Sequence, residues 1–200
     1  MKEAFLNNYM NIVTANKKDL SQDQIDKFRY GIEGIYLTIT KLIVIFIIGA
    51  ILGILKEILL LLIFYNLLRF FGFGYHARGS KECLAFSLSF FVILPYLVAK
   101  KLLVFKYNKY IILLCLINFL IFAPSDTKKR PMINKKKKII RKTLLMIVSI
   151  IYSILIFNTN YELSSLLLLS LVIESIMVNP LIYKLTGQPY NNYKNYILKN

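Results

Sequence analysis

The feature that most constrains this chain is a series of long apolar blocks separated by short polar segments. A soluble domain of 200 residues cannot bury so many uninterrupted Leu, Ile, Phe and Val runs in one core, whereas a bilayer can accommodate them. The pattern therefore predicts an all-α, polytopic integral membrane bundle that forms a single membrane domain over 1–200. The six blocks lie at 35–55, 58–68, 84–99, 110–123, 143–157 and 163–178. The second block is the weakest, so a re-entrant or interfacial helix is an alternative there.

The N-terminal segment 1–30 is mixed in character and predicts amphipathic helices. Apolar side chains recur in it at helical spacing among polar ones, which is typical of a helix lying on a membrane surface or on the bundle. These side chains are Phe5, Leu6, Tyr9, Ile12 and Val13. Ser21 followed by Gln24 matches a capping box, which predicts a second helix that begins near Ser21 and runs into the first span.

The chain is strongly basic, with 26 Lys and Arg residues against 10 acidic ones and a net charge of +16. The basic residues sit between apolar runs, mostly in one loop, which favours contact with anionic lipid over binding of nucleic acid. In a six-span arrangement they concentrate in 1–30, 69–83, the basic loop 124–142 and the tail 179–200, although 100–109 is a discordant basic loop. The positive-inside rule then predicts a multi-pass protein of the cell membrane with both termini and segment 69–83 in the cytoplasm.

Segment 69–83 carries the candidate chemistry. It contains His76, the single histidine, and Cys83, one of two cysteines. A thiolate can act as a nucleophile, and an imidazole can remove its proton. Residues seven apart on one helix are separated by about 10 Å along its axis, too far for a hydrogen bond. The chain must therefore turn between them, most naturally at 79–80, which places Cys83 at a helix start where the dipole favours a thiolate.

Other polar residues have simpler interpretations. Cys115 lies within an apolar block and is expected to act as a small apolar residue. Two cysteines make neither a disulfide framework nor a metal-ligand set, and no cofactor is expected. Glu174 is an intramembrane carboxylate near the end of its block, so it either has a functional or pairing role or snorkels to the surface. No third catalytic group stands out, with Glu82 and Ser80 as the nearest candidates.

The residues of segment 69–83 resemble the signature of the AgrB family of membrane cysteine endopeptidases, which mature quorum-sensing peptides in Gram-positive bacteria. The matching residues are Arg69, the run Gly74-Tyr75-His76-Ala77, and Cys83. The loop APSDTKKRP at 123–131 and the tail from Asn179-Pro180-Leu181 to Gly187-Gln188-Pro189-Tyr190 are also similar to that family. One departure is Phe73, where many members carry a glycine; Gly72 is the nearest substitute.

The resemblance implies His76 and Cys83 as catalytic residues, with Arg69 and Gly74 in support. Arg69 either orients the catalytic loop or stabilises the oxyanion, or it only snorkels from the end of its helix. The implied substrate is a short propeptide with an amphipathic N-terminus, a cysteine-containing signal segment and an acidic C-terminal tail. Cys83 would release the tail and hold a thioester, which the propeptide's own cysteine resolves into a thiolactone.

The resemblance also implies partners and leaves two other functions open. The basic residues Lys128, Lys129 and Arg130 are expected to attract the acidic tail or anionic lipid, and a homodimer is expected. A peptide exporter is the first alternative, with Glu174 as its key residue and Cys83 dispensable. A lipid-modifying membrane enzyme ranks last, because its acidic metal-binding motifs are not evident among the carboxylates.

Overall fold

The structure, a computed structural model, describes residues 2–16, 21–77, 79–126 and 132–191. These residues form helices and contain no β-strand beyond one isolated bridge, which confirms the predicted all-α membrane bundle. The helices are α1 Lys2–Asn16, α2 Gln22–Leu52, α3 Leu55–Gly72, α4 Ser80–Leu88, a π-helical segment Ser89–Ile93, α5 Leu94–Ala99, α6 Asn108–Phe122, α7 Lys135–Asn158, α8 Tyr161–Val178 and α9 Pro180–Leu185.

Four of these helical stretches are long and apolar enough to cross a membrane. They are Gln24–Leu52, Lys81–Ala99, Lys135–Asn158 and Tyr161–Val178. The other two apolar blocks form α3, which has 18 residues but carries charges at both ends, and α6, which has 15 residues. At 1.5 Å per residue α6 covers about 22 Å, less than a hydrocarbon core of about 30 Å. Each predicted apolar block therefore corresponds to a helical stretch, of which α6 is the shortest.

The chain divides into two compact units, residues 1–48 and 49–200. In the first unit, the predicted capping box is confirmed at the start of α2. The Ser21 N–H donates to Gln24 Oε1 at 3.0 Å, and the Gln24 N–H donates to Ser21 Oγ at 3.4 Å. An ion pair of 3.2 Å between Arg29 and Glu3 joins α2 to α1. Among the described residues of the N-terminal segment, 2–16 and 22–30 are helical.

In the second unit, α8 is the central helix, and α3, α5, α6 and α7 pack against it. Its sequence is apolar around most of its circumference, which is typical of a helix that is buried on all sides. Small residues on α8 let the neighbouring helices approach closely, and serine hydroxyl groups donate to backbone carbonyls. Ser164 Oγ, for example, donates to the Ile156 carbonyl of α7 at 2.9 Å. The buried residues of α8 are Ser164, Ser165, Leu166, Leu167, Leu168, Leu169, Ser170, Leu171, Ile173, Glu174, Met177 and Val178.

The polar connections around α3, α6 and α8 gather at one end of this unit, here called the loop end. α3 and α8 run in parallel, since Lys56 pairs with Glu162 at their starts (2.8 Å) and Arg69 pairs with Glu174 near their ends (3.7 Å). α6 also ends there, because Asn118 Nδ2 donates to Ser175 Oγ at 2.8 Å. The segments following α3, α6 and α8 are therefore neighbours.

A π-helical segment interrupts the helix formed by 80–99. Proline has no N–H to donate, and its ring collides with the carbonyl four residues earlier in a regular α-helix. Pro95 lies just after Ser89–Ile93, where the backbone widens to π-helical hydrogen bonding. The widened turn accommodates the ring and lets the helix continue to Ala99.

Two predicted segment boundaries differ in the structure. The predicted basic loop 124–142 is helical from Lys135 onwards, because α7 begins there with Asn134 as its N-cap, whose side chain accepts from the Lys137 N–H at 3.1 Å. Lysines at the positive end of a helix are individually unfavourable, so this run resembles a loop in sequence. The predicted catalytic loop 69–83 is irregular only over its middle, since its ends belong to α3 and α4.

We expect Phe119→Ala to destabilise the bundle, because the Phe119 ring on α6 is 0% exposed in the core cluster. Removal of a buried phenyl group costs about 3–5 kcal/mol through lost contacts and the cavity left behind. Thermal unfolding of the purified protein in detergent measures this as a lower midpoint. Ile121→Ala on the same helix is the control, since Ile121 is 63% exposed. Equal effects of the two substitutions would contradict the packing described.

Candidate active site

The segment between α3 and α4 carries His76, and the first turn of α4 carries Cys83; both lie at the loop end. α3 ends at Gly72, and α4 begins at Ser80 after Gly79, which is extended. The chain thus leaves helical geometry between His76 and Cys83, as the spacing argument predicts. Cys83 is in the first turn of α4, where its N–H donates to the Gly79 carbonyl at 3.0 Å.

The backbone of this segment pairs with the segment that follows α6. The Gly74 N–H donates to the Ser125 carbonyl at 3.2 Å, and the Ser125 N–H donates to the Gly72 carbonyl at 3.0 Å. Ser125 is itself fixed, because its hydroxyl donates to the Val178 carbonyl at the end of α8 at 2.6 Å. Backbone groups near a bilayer need such partners, since unpaired ones are costly where water is scarce.

The end of α8 and the tail that follows it also bond to this stretch. The Tyr75 N–H donates to the Met177 carbonyl at 2.8 Å, and the Gln188 side chain donates to the His76 carbonyl at 2.8 Å. The three segments that carry the sequence resemblance therefore meet in space.

Tyr183 of α9 joins the last two of these segments. Its ring is 1% exposed, and its hydroxyl donates to the Asp126 carbonyl at 3.1 Å. Burial raises the pKa of Tyr183, which keeps the hydroxyl protonated and therefore able to donate.

Arg69 caps the end of α3 with its guanidinium. The side chain is 15% exposed and turns back over the loop. Its two terminal nitrogens donate to three successive carbonyls, those of Phe73, Gly74 (3.2 Å) and Tyr75. One cation thus bonds the backbone immediately before His76. Arg69 lies where a residue that orients the loop must lie, and it does not snorkel away from it.

Glu174 on α8 faces this guanidinium. Its side chain is 0% exposed, and its Oε2 lies 3.7 Å from Arg69 Nη1. Its Oε1 packs on Gly72, where an added Cβ would come within 2.3 Å of that oxygen. Of the two sequence alternatives for Glu174, the pairing role is confirmed and snorkelling is wrong, because the helix end is enclosed by α3 and the loop.

Gly74 is required by both conformation and space. Its φ is +98°, a value that L side chains rarely adopt. A Cβ at this position would lie 2.5 Å from the Met177 carbonyl oxygen and 2.7 Å from Arg69 Nη1. Gly74 therefore lets the loop approach α8 and the guanidinium at the same time.

Phe73 also adopts a backbone conformation that favours glycine, with φ 58° and ψ −121°. This accounts for the glycine that resembling sequences carry there. Gly72 does not substitute for it, because Gly72 is the last residue of α3 and serves to admit Glu174. The Phe73 ring instead packs under the Arg141 guanidinium of α7, at 4.2 Å from the ring centroid. Such cation–π packing offsets part of the strain.

The two predicted catalytic residues are linked through their neighbours. The Tyr75 hydroxyl donates to the Glu82 carboxylate, so the residue before His76 is joined to the residue before Cys83. The Tyr75 ring is 3% exposed and is fixed by edge contact with Phe86, with centroids 6.0 Å apart. The His76 side chain is exposed and that of Cys83 is half-buried. The hydrogen bond folds the loop back onto the start of α4.

Several candidate residues from the sequence analysis lie outside the described part of the chain. Lys128, Lys129 and Arg130 lie there, as does the side chain of Ser80. Glu82, the other candidate for a third group, is bonded to Tyr75. Cys115 is 4% exposed within α6, as expected of an apolar residue.

The sequence interpretation missed Arg141, which lies on α7 within a polybasic run. Besides covering Phe73, its Nη1 donates to the Phe70 carbonyl at 2.7 Å, across 71 positions of the chain. A run of lysines and arginines gives no sign of which cation turns inwards. Only the packing of α7 beside α3 distinguishes it.

Comparison with known proteins agrees with the resemblance. The family profile described as accessory gene regulator B, AgrB, matches residues 6–178. An AgrB-like protein of Clostridium acetobutylicum is 33% identical over 189 residues, covering 88% of this chain and 86% of that protein. An AgrB-like protein of Listeria innocua is 30% identical, covering 85% and 84% respectively. The accessory gene regulator protein B of Staphylococcus aureus is 28% identical, covering 84% and 89%. No solved structure matches the chain.

We expect Gly74→Ala to loosen the loop, because the new methyl group meets the Met177 carbonyl and the backbone is already at positive φ. The substitution should destabilise the native loop conformation by about 1–3 kcal/mol. Hydrogen–deuterium exchange of 73–77, followed by mass spectrometry, should become faster.

Gly79→Ala is the matched control for this measurement. Gly79 has φ −138°, and an added Cβ there has nothing within 4 Å. Unchanged exchange in Gly74→Ala, or equal acceleration in both variants, would argue against the described loop.

Proposed function

The chain belongs to the accessory gene regulator B family, and we propose that it is a membrane cysteine endopeptidase with Cys83 as nucleophile and His76 as general base. The observation that carries this proposal is the hydrogen bond between Tyr75 and Glu82, the residues immediately before His76 and Cys83. It joins the loop that holds the imidazole to the helix turn that holds the thiol. Family membership supports a role in accessory gene regulation, the setting in which such a peptidase acts.

The position of Cys83 suits a nucleophile. It lies in the first turn of α4, where the helix dipole favours negative charge. Its side chain is half-buried, which leaves the thiol reachable while one side is packed. His76 is exposed on the loop that precedes α4, where it can meet a substrate.

The proposed reaction is an acyl transfer. His76 takes the thiol proton, and the Cys83 thiolate adds to the carbonyl carbon of the scissile peptide bond. The C–N bond then breaks, His76 returns the proton to the leaving amine, and the acyl group remains on Cys83 as a thioester. His76 then removes the proton of a cysteine thiol of the substrate, and the thiolate attacks the thioester carbonyl carbon. The bond from that carbon to the Cys83 sulfur breaks, a thiolactone closes, and His76 passes the proton to the released sulfur.

The second step requires that water be kept out. Exchange of one thioester for another is nearly balanced in energy, whereas hydrolysis is effectively irreversible. Phe70 is 65% exposed and Phe71 is half-buried beside the loop, so an apolar surface borders the site. A loop placed at the bilayer surface and bordered by phenyl rings supports this requirement.

The proposed substrate is a short propeptide with an amphipathic N-terminus and an acidic C-terminal tail, for quorum sensing. The high positive charge near the loop end supports an acidic partner. Lysines at 135–138 open α7, with exposed side chains at 135–137, and the tract containing Lys128, Lys129 and Arg130 precedes them. The same charges suit anionic lipid. We propose a homodimer as the working form, as the family resemblance implies.

The exporter alternative loses its main support. It rests on Glu174 as a carboxylate available to a transported molecule, whereas Glu174 is 0% exposed and faces Arg69. Glu174 therefore gives no support to the exporter alternative.

We expect Cys83→Ala to reduce cleavage of the propeptide by about 10⁴-fold or more, because the nucleophile is lost. His76→Ala should reduce it by about 10²- to 10⁴-fold through loss of proton transfer. The assay follows intact and cleaved propeptide in liposomes that contain the purified protein.

Cys115→Ala is the control for that assay, since Cys115 is buried in α6. It should retain activity. Continued cleavage by Cys83→Ala would show that the His–Cys pair is structural and would refute the proposed function.

We also propose that the loop end faces the cytoplasm, because the basic segments gather there. In a background with both cysteines replaced by alanine, Lys184→Cys should react with a membrane-impermeant maleimide only after the cells are permeabilised. Lys100→Cys, at the other end of the bundle, should react in intact cells. The reverse pattern would invert the proposed orientation.

A further inference from the structure

Glu174 and Arg69 form a buried pair with an unusual division of contacts. Arg69 donates to three loop carbonyls, whereas neither carboxylate oxygen of Glu174 has a hydrogen-bond partner among the described residues. The carboxylate is 0% exposed, and its closest charged neighbour is Arg69 Nη1 at 3.7 Å. A buried anion without hydrogen bonds depends on a cation to be tolerated.

The carboxylate has little freedom to move. Its Oε1 lies against Gly72, and α8 is enclosed by α3, α5, α6 and α7. Arg69, by contrast, has a long side chain that can extend towards the membrane surface when nothing retains it. The rigid member of the pair is therefore Glu174, and the mobile member is Arg69.

From these contacts we propose that Glu174 is a positioning residue for the His76–Cys83 site and acts through Arg69. Its carboxylate holds the guanidinium in the orientation in which it binds the carbonyls of Phe73, Gly74 and Tyr75. This inference rests on the proposed function of the loop, although the positioning itself concerns structure alone.

A second ion pair across the same two helices provides an internal comparison. Lys56 and Glu162 join the starts of α3 and α8 at 2.8 Å, with side chains 71% and 32% exposed. This pair lies at the opposite end from the loop. It connects the same helices without touching the site, so Glu162→Gln is a matched control for Glu174→Gln.

The test combines the kinetics of propeptide cleavage with hydrogen–deuterium exchange of the loop. In Glu174→Gln we expect kcat for propeptide cleavage to fall about 10- to 100-fold with KM nearly unchanged, because the loop is displaced while the substrate surface remains. Exchange of 73–77 should become faster, since the N–H groups of Gly74 and Tyr75 lose their fixed partners. Glu162→Gln should change neither quantity.

A double-mutant cycle shows whether Glu174 acts through Arg69. In an Arg69→Gln background, addition of Glu174→Gln should cause little further loss of kcat, because the residue that it orients is already absent. Multiplicative losses would overturn the proposal. Hydrogen–deuterium exchange of 73–77 at the wild-type rate, together with a wild-type kcat, in Glu174→Gln would overturn it as well.

Glu174→Asp covers the case in which Glu174→Gln does not fold. It retains the charge but withdraws the carboxylate by one methylene, so exchange should rise and kcat should fall by a smaller factor; wild-type values for both would contradict the proposal. Exchange does not require peptidase activity, so it tests the positioning even if the wild type proves inactive. An active wild type with an unaffected Glu174→Gln would refute the positioning alone.

Discussion

The Arg69 guanidinium at the end of α3 is the interaction on which the loop end depends. It binds three consecutive carbonyls after the helix and faces the Glu174 carboxylate on α8. Each contact would be weak if it were made by an exposed side chain, because water competes and the long side chain loses entropy. Here the guanidinium is 15% exposed, so the loop carbonyls and the carboxylate take the place of water. The backbone before His76 is thereby tied to the central helix of the bundle.

The arrangement resolves a difficulty that the proposed catalytic loop meets at a bilayer. Irregular backbone next to lipid has polar groups that need partners, yet a nucleophile and its base need precise placement. In this chain the loop bonds to the backbone after α6, to the end of α8 and to the Gln188 side chain. The anchors that keep the loop stable are thus the same ones that set its geometry. Glycine makes this possible at Gly74, and Gly72 makes room for the carboxylate behind it.

Much of the architecture could be predicted from local sequence. The capping box at Ser21 and Gln24, the helix start after Gly79 and the apolar blocks are features of neighbouring residues, and the structure has them where they were predicted. The start of α7 at Lys135 was missed, because a lysine run is intrinsically unfavourable at a helix N-terminus. That helix is stabilised by packing further along, which a local pattern does not reveal.

The sequence by itself determined that this protein is a helical membrane bundle with an imidazole in a glycine-containing segment and a thiol at the helix start that follows it. Hydrophobic block length and residue spacing suffice for that, since both follow from helix geometry and bilayer thickness. Only the tertiary structure decided that Glu174 is buried against Arg69, that Arg141 covers Phe73, and that Ser125 and Gln188 hold the loop. These contacts join residues up to 112 positions apart. They depend on which helices are neighbours and in which direction each runs, and a pattern read along one chain does not contain that information.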